Sequence, residues 1–296
     1  MISNSKLIYI LIVNYYSFSL IARLIQNFLS VDKLTYRIVI VNNSPKDQLN
    51  LEKWQELSIE VIEAQENLGF GNACNLGLKL IYQRNSEAIV WLVNPDTFFD
   101  GKLTQQALSL LEQYPQLSIL GTTIYTPDSQ LWFAGGKFNP YQGHIKSENL
   151  FSNGINQPYV ECDWVSGCSL IINLSHFPEC PQFDPKYFLY YEDFDFCQRY
   201  QCQGHLVAVT NEISIFHEVS AVTNRNQRDK FYHSTYSYLL TLQRYSNKLI
   251  FSIRFIRLVI IALLLFPVNR AIALGKITGV WHFVKRYFYG FFLGHC

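Results

Sequence analysis

The sequence predicts an α/β protein built on a doubly wound, mainly parallel sheet. Three observations support this prediction: apolar runs of strand length stop at polar residues, stretches with helical spacing follow them, and the two kinds alternate along the first half of the chain. Parallel strands covered on both faces read as continuous apolar runs of this kind. The 296 residues are 49% hydrophobic and 16% aromatic, which is ample for a large core and excludes a disordered chain.

The first elements follow this alternation. The run LIYILIVNYY, from Leu7, predicts a buried strand, and Ser17 to Ser30 carries apolar residues at helical spacing. YRIVIVNNSP predicts a second buried strand, and SIEVIEA alternates as a strand does. Seven uninterrupted apolar residues without a small-residue cleavage site make a poor signal peptide, so we expect the first run to be a strand.

The later elements continue the pattern. We predict, in order, a helix in NLGFGNACNLGLKLIYQ, a strand in EAIVWLVNPD, a helix from Leu103 to Tyr114, a strand in LSILGTTIY, a turn and buried strand in VECDWVSGCSLIIN, and a helix that starts near Glu192. ISIFHEVSAVT is a further apolar run that ends at His217.

Charge divides the chain unevenly. Residues 1–230 hold 16 Lys and Arg against 23 Asp and Glu, whereas residues 231–296 hold eight basic residues and no acidic one. An acidic body with a basic, apolar tail predicts a catalytic or binding domain whose tail rests on an anionic surface. A membrane is the first candidate for that surface. Seven cysteines without a Cys-x-x-Cys pair indicate free thiols in a reducing cytosol.

The tail predicts interfacial helices. Its longest charge-free apolar run, Leu258 to Val268, has 11 residues and is too short to cross a bilayer, which needs about 20. We therefore predict a domain over 1–245 and basic, membrane-interfacial helices over 246–296. The alternative is a helical hairpin that packs on the domain or in a dimer interface.

Polar residues follow three of the predicted strands. Asn14, Asn42 and Asp96 each come just past the carboxyl end of a strand, where open α/β sheets bind their ligands. Asn-Pro-Asp at 94–96 is also good turn chemistry, and any one of the three could be an ordinary loop residue. Because all three should meet at one edge, we expect a binding crevice there, with Asp96 as a metal ligand.

The glycines of NLGFGNACNLG do not form a dinucleotide-binding fingerprint. The third glycine position of Gly-x-Gly-x-x-Gly holds Cys74, which disfavours a dinucleotide-dependent oxidoreductase. The segment instead predicts a helix entrance that a ligand can approach closely. Cys162, Cys168, His176 and Cys180 could gather zinc, but their spacing matches no usual structural site.

Carboxylates and a histidine in the second half are further candidates. Glu192 and Asp193 follow the aromatic segment YFLYY, where desolvation raises a carboxylate's pKa and suits it to act as a general base. Acidic residues in a first helical turn also complement the helix dipole. His217 ends an apolar run as Asp96 does, although a lone histidine there is more often structural.

Seven segments in order resemble family 2 glycosyltransferases, in particular their rhamnosyltransferase-like branch. The segments are VNYY, IVIVNNSP, NLGFGNACNLGL, WLVNPDT, DWVSGCSLII, FLYYEDFDFCQRYQCQGH and FHEVSAV, and they span roughly residues 6 to 245. The resemblance implies a GT-A fold, a nucleotide-sugar donor, a divalent metal (Mg²⁺ or Mn²⁺) and inverting transfer to an acceptor hydroxyl.

The resemblance also implies roles for individual residues. It gives donor-binding roles to Asn14, Asn42, Asn67, Gly71, Asn75 and Asn94, metal binding to Asp96 and His217, catalysis to Asp193 as base with Glu192 beside it, and the acceptor side to Trp164 and Gly167. Asn42 and Asn94 stand where many members have aspartate. An amide oxygen can still accept a hydrogen bond from a pyrimidine, and Mg²⁺ accepts one or two carboxylates completed by phosphate oxygens and water.

The predicted function is therefore inverting transfer of a sugar, possibly rhamnose, in cell-surface polysaccharide synthesis. The donor would be a dTDP-, UDP- or GDP-sugar and the acceptor a glycan or polyprenyl-linked hydroxyl, with no nucleic-acid partner. The predicted location is cytoplasmic, peripheral on the inner face of the cytoplasmic membrane. The alternative is a nucleotide-sugar-binding protein without catalysis.

Overall fold

The structure is a computed structural model. It describes residues 7–31, 36–55, 57–152, 157–218 and 226–293. The backbone forms two compact units. The first unit comprises Met1–Lys137, Lys146–Pro185 and Asp193–Val222, and the second comprises Phe138–Ile145, Lys186–Glu192 and Thr223–Cys296. The second unit thus begins before the boundary expected at 245/246. Since this division does not show which part folds alone, the two predicted domains stay a prediction.

Strands and helices alternate as the sequence predicts. The strands are β1 Ile8–Asn14, β2 Tyr36–Asn42, β3 Ile59–Glu63, β4 Ile89–Val93, β5 Thr97–Phe98, β6 Leu117–Tyr125, β7 Leu131–Phe133, β8 Gly136–Asn139, β9 His144–Ser147, β10 Val160–Glu161, β11 Ser169–Asn173 and β12 Leu206–His217. The α-helices are α1 Phe18–Val31, α2 Phe70–Arg84, α3 Leu103–Gln113, α4 Glu192–Cys202, α5 Gln227–Tyr245, α6 Lys248–Leu265 and α7 Arg270–Leu293. Short 3₁₀ turns lie at Glu52–Trp54 and Leu174–His176.

The central sheet is mostly parallel, as predicted, with one reversed strand inside it. Its order is β10-β12-β6-β11-β4-β1-β2-β3. β1 pairs in parallel with β2 and β4, β2 with β3, and β12 with β6. β11 runs antiparallel to both β4 and β6. The sequence predicts β11 as a buried strand, and only the structure shows its direction.

The core of the first unit explains why the sheet forms. β1 and β4 are buried along their whole length, since helices cover both faces of the sheet. α1 turns Ile21, Leu24, Ile25 and Phe28 into the core, each with no exposed surface. Trp91 of β4 is fully buried, and its indole N–H donates to the Ser169 hydroxyl at 2.9 Å. Burial of such side chains contributes about 1.5–3 kcal/mol each.

Pairing brings the functional ends of several strands to one edge of the sheet. Asn14 lies opposite Asn42, so β1 and β2 end together. His217, the last residue of β12, lies opposite Thr97. Because β11 is reversed, its first residue Ser169 lies opposite Val93, the last residue of β4. The segment before β11 therefore reaches the edge where β4 ends, as do the side chains that follow the parallel strands.

The second unit is mainly helical. α7 packs closely on α5 because it carries glycines: a Cβ at Gly275 would lie 2.4 Å from the Arg228 carbonyl oxygen, and one at Gly279 would lie 2.7 Å from that of Tyr232. The Asn247 side chain caps α6 by accepting from the N–H of Ile250 at 2.8 Å. Of the helices in the described ranges, none has the length and apolarity required for a membrane span.

Candidate active site

Amide side chains at the ends of β1 and β2 form a closed hydrogen-bond network. The Asn14 amide nitrogen lies 2.9 Å from the Asn42 side-chain oxygen and 2.9 Å from an Asp47 carboxylate oxygen, both of which accept. The Asn14 oxygen accepts from the N–H and the hydroxyl of Ser17, both at 3.0 Å. Asn14 and Asn42 are both buried, so their amides connect the loops after β1 and β2. Their contact with a donor stays a prediction.

The same network contains two carboxylates, those of Asp47 and Glu63, that are not among the residues predicted from the sequence. The Asn42 amide nitrogen donates to Glu63 at 2.7 Å and to the Asp47 backbone carbonyl at 3.0 Å. Glu63 is exposed and is the last residue of β3. The rule that led to Asn14, Asn42 and Asp96, polar residues at carboxyl strand ends, also applies to Glu63 and would have found it.

The α2 entrance is rigid and held from within the protein. The Asn67 side-chain oxygen accepts from the Gly69 N–H at 3.0 Å and from the Asn43 amide at 2.9 Å. Gly69 has φ +80°, a conformation that favours glycine, and Gly71 is buried in the first turn of α2. Asn75 exchanges two hydrogen bonds with the Phe183 backbone, at 2.7 and 2.9 Å. Asn75 is thus a packing residue here, and its predicted donor contact is not tested.

Asp96 and His217 lie together at the edge of the sheet. His217 Nε2 is 3.1 Å from Asp96 Oδ1, and both side chains are buried. The pairing of β12 with β5 produces this approach, and the Trp132 ring packs edge-on against the imidazole with centroids 5.0 Å apart. Asn94 precedes Asp96 on the same loop and is partly exposed. The structure therefore brings together the two residues for which the resemblance implies metal binding.

The chemistry of this pair fits one divalent cation. Among the described residues, buried Asp96 Oδ1 has no polar partner besides His217 Nε2, and His217 Nδ1 has no hydrogen-bond partner. Adjacent ligands of an octahedral Mg²⁺ or Mn²⁺ ion lie about 3.0 Å apart, close to the separation of Nε2 and Oδ1. Within the described ranges no three His, Cys, Asp or Glu side chains cluster. The protein would thus supply two ligands and leave the other positions to phosphate oxygens and water.

Asp193 is held by two backbone donors in the first turn of α4. Its Oδ2 accepts from the Gly167 N–H at 3.0 Å and its Oδ1 from the Phe194 N–H at 2.8 Å. Desolvation raises the pKa of Asp193 above its ordinary value of 3.8, while these hydrogen bonds lower it in part. A carboxylate with a raised pKa is a stronger base, as the aromatic approach to it predicts.

The loop of Asp96 and the side chain of Asp193 meet at one backbone segment. The Asn94 N–H donates to the Cys168 carbonyl at 2.9 Å, and the N–H of the preceding Gly167 holds Asp193. The buried Cys168 thiol has a pKa well above its usual value, because of desolvation first and then the negative charges of Asp96 and Asp193. Both carboxylates therefore lie within electrostatic range of one thiol.

Neighbouring residues complete the surroundings of Asp193. A Cβ at Gly167 would lie 3.1 Å from the Phe70 ring, so glycine permits the close approach of this segment to α2. The Trp164 ring packs over Gly136, and its indole N–H is buried without a hydrogen-bond partner among the described residues. Asp195 is fully buried and accepts from Arg199 at 2.7 Å, which makes it structural. Glu192 is buried at the start of α4.

Two tyrosines before α4 have an unusual backbone conformation. Tyr190 and Tyr191 have φ angles of +70° and +64°. Left-handed conformations are rare for non-glycine residues and cluster at functional sites, where surrounding structure holds them. The strained turn ends two residues before Asp193, so backbone conformation and hydrogen bonding both fix the start of α4.

Comparisons with known proteins agree with this geometry. The sequence matches the family described as "Glycosyl transferase family 2" over residues 9–171. It is 22% identical to the N-acetylglucosaminyl-diphospho-decaprenol L-rhamnosyltransferase of Mycobacterium tuberculosis, over 64% of this chain and 69% of that protein. It is 26% identical to the rhamnosyltransferase WbbL of Escherichia coli, over 82% of this chain and 96% of that protein.

Solved structures share the fold. GalNAc-T7 with UDP, GalNAc and Mn²⁺ has a TM-score of 0.61 at 12% identity, and the match covers 81% of this chain and 48% of that one. The mannosyltransferase PcManGT of Pyrobaculum calidifontis, with GDP-Man and Mn²⁺, has a TM-score of 0.54 at 13% identity, over 92% and 73%. Their fold is the GT-A type that the resemblance implies. The chain belongs to glycosyl transferase family 2, on its rhamnosyltransferase-like branch.

Proposed function

We propose that the chain is an inverting glycosyltransferase that moves a sugar, L-rhamnose first among the candidates, from a nucleoside diphosphate to an acceptor hydroxyl. One observation carries the proposal. The loop of Asp96 and the side chain of Asp193 are both hydrogen-bonded to the Gly167–Cys168 segment, which brings two carboxylates to one short stretch of backbone. Glycosyl transfer requires that the negative charge of the leaving diphosphate be stabilised, which we assign to Asp96 through a bound metal. It also requires that the acceptor hydroxyl lose its proton, which we assign to Asp193.

The reaction is a single displacement at the anomeric carbon. The acceptor oxygen forms a bond to C1 as the bond from C1 to the diphosphate breaks, and the electron pair of that bond leaves with the nucleoside diphosphate. Asp193 takes the proton of the attacking hydroxyl, a step that contributes about 10²- to 10⁴-fold in rate. Gly167 and Phe194 orient the carboxylate through their N–H groups. Attack opposite the leaving group inverts the anomeric configuration.

Asp96 and His217 would hold a divalent metal, Mg²⁺ or Mn²⁺. When bound, the ion supplies positive charge at the oxygens of the leaving diphosphate. Asn94 lies two residues before Asp96 and is partly exposed, which supports a role in binding a phosphate or sugar hydroxyl. With two protein ligands, we expect metal binding to be weak without the donor and tighter with it.

The acceptor is proposed from the relatives and from the second unit. The mycobacterial relative is named for an acceptor in which a sugar is joined through diphosphate to decaprenol. We propose a polyprenyl-linked or other glycan acceptor here, with Trp164, Gly167 and Glu192 on its side of Asp193. α6 and α7 would rest on the cytoplasmic membrane surface where such lipids lie, since they combine exposed apolar residues with basic ones.

Product analysis with a panel of donors tests the proposal. The purified chain would be incubated with dTDP-, UDP- or GDP-sugars, Mg²⁺ or Mn²⁺, and a short polyprenyl-diphosphate sugar. We expect transfer that requires metal, with NMR showing the inverted anomeric configuration in the product. Retention of configuration would contradict Asp193 as base. Donor binding without transfer or donor hydrolysis would favour the non-catalytic binding protein instead.

A further inference from the structure

A groove on the second unit takes no part in the proposed transfer. Its volume is about 410 Å³, and it lies between α5 and α7. The lining residues are Tyr232 of α5 and Thr278, Trp281, His282, Lys285 and Arg286 of α7. It therefore combines aromatic surface with two adjacent basic residues.

The groove is positively charged. Residues 231–296 contain no Asp or Glu, and Asp229, three residues before Tyr232 on α5, raises the pKa of Tyr232 less than burial does. Burial lowers the pKa of His282 below 6.5, and the charges of Arg286 and Lys285 lower it further. His282 is thus neutral near pH 7, and Lys285 and Arg286 carry the charge. A positive groove of this kind attracts an anion.

Arg286 is already oriented for such a ligand. One of its guanidinium nitrogens donates to the Tyr236 hydroxyl at 2.7 Å, and Tyr236 is buried in the small core of this unit with Leu239 and Phe283. In the described part of the chain, Arg286 makes no salt bridge with a carboxylate. The planar guanidinium group matches the geometry of a phosphate, and a fixed one loses less entropy on binding.

The second unit exposes apolar residues at the edge of the groove and on α6. Trp281 at its edge is 67% exposed. On α6, which packs on α7 through contacts such as Phe251 with Phe283, five residues at helical spacing form an exposed apolar stripe. The stripe consists of Leu249, Ile253, Ile256, Ile260 and Leu264, which are 50–69% exposed. An anion that binds in the groove would thus lie beside an exposed tryptophan.

Charge decides which occupant fits this surface. A second copy of the chain would bring the same eight basic residues and no acidic ones from 231–296 against this face, so the two copies would repel each other. A free anion would satisfy the charge of the groove but leave the exposed Trp281 ring in water. An anionic lipid satisfies both the charge and the exposed ring, because its phosphate is joined to acyl chains. Tryptophan favours the boundary between lipid headgroups and acyl chains.

We propose that the groove formed by Tyr232, Trp281, His282, Lys285 and Arg286 binds the phosphate of an anionic membrane lipid, with the exposed Trp281 ring in the bilayer interface. The proposal rests on the membrane contact suggested above for α6 and α7, and is independent of the transfer chemistry. It turns a general attraction to a charged surface into a specific site that fixes how the second unit lies on a bilayer.

Vesicle partitioning with charge-matched variants tests the site. The full chain is mixed with vesicles of phosphatidylcholine, with and without phosphatidic acid. The site variant is K285Q/R286Q, and the control is K248Q/R257Q, which removes two exposed basic residues of α6. Loss of two charge-assisted hydrogen bonds predicts about 100-fold or weaker partitioning for the site variant. Loss of two surface charges predicts at most about 30-fold for the control.

Two further measurements separate the outcomes. Circular dichroism and nucleotide-sugar binding show that both variants fold, and the Trp281 signal, obtained by difference from W281F, should shift to the blue only with phosphatidic acid. Equal losses in the two double variants would overturn the phosphate site but leave the membrane contact intact. No vesicle binding by the natural sequence would overturn both.

Discussion

Helices α1 and α6 carry similar apolar patterns but bury them differently. In α1, Leu24 and Ile25 have no exposed surface, because the helix packs on the central sheet. In α6, Ile256 is 58% and Leu264 is 68% exposed. The periodic pattern of a helix therefore specifies that a face is apolar, not what covers it. Burial of the apolar face of α1 stabilises the fold. The apolar face of α6 is exposed, so its burial can still contribute free energy to binding.

The two candidate sites show a related contrast. Asp96 and His217 are buried, and their positions are fixed by strand pairing. The groove residues Trp281, Lys285 and Arg286 are exposed on one side of a helix. Rigid strand ends suit chemistry that depends on the position of single atoms, whereas an exposed helix face suits a fluid surface. The predictions below test this difference, from the largest expected effect to the smallest.

Replacement of Asp193 by asparagine should have the largest effect. An amide cannot accept the proton of the acceptor hydroxyl, so we expect a loss of about 10²- to 10⁴-fold in kcat. Donor affinity, measured by calorimetry, should persist because the donor-side residues are unchanged. Glu212, exposed on β12, gives the control E212Q, which should keep full activity. A parallel loss of donor binding would remove Asp193 from the role of base.

Truncation of matched leucines in α1 and α6 should separate the two helices. Leu24→Ala leaves a cavity in the core and should lower the free energy of unfolding by about 2–5 kcal/mol. Leu264→Ala removes an exposed side chain and should change it by less than about 0.5 kcal/mol. Urea unfolding measures both, and vesicle partitioning should weaken only for Leu264→Ala. Comparable destabilisation would show that the α6 face is covered in solution.

Removal of the Asp96 carboxylate should weaken donor binding only when metal is present. We expect Asp96→Ala to reduce metal-dependent donor affinity by about 10- to 100-fold, and His217→Ala to act in the same direction. Donor titrations with and without Mg²⁺ or Mn²⁺ measure this. The double variant K285Q/R286Q is the matched control from the other region and should be unaffected. Unchanged affinity across the magnesium series would contradict the assignment of Asp96.

The pH dependence of the reaction should report Asp193. Only its carboxylate form accepts a proton, so kcat/KM should fall as pH falls through its pKa, about tenfold for each further pH unit. Because desolvation raises that pKa above 3.8, the loss should occur at a higher pH than for an ordinary aspartate. Membrane partitioning through Lys285 and Arg286 should not change over the same range. A rate that stays flat down to pH 4 would contradict the assignment.

Local sequence patterns determined much of the fold and part of the site. Continuous apolar runs such as Ile8–Asn14 and Ile89–Val93 predicted buried strands, since covered strands must be apolar on both faces. The position of Asp96 and His217 just past apolar runs predicted that they share an edge. The Asp96–His217 separation of 3.1 Å agrees with that prediction.

Only the tertiary structure decided which polar residues remain available. Asn14 and Asn75 have the residue type and position of ligand contacts, yet their amides are bonded inside the protein. The direction of β11, which brings Gly167 to the edge beside Asp193, depends on pairing with β4 and β6. The local sequence determines which groups can form hydrogen bonds or become buried. Their partners come from distant parts of the chain and reach them only once the chain has folded.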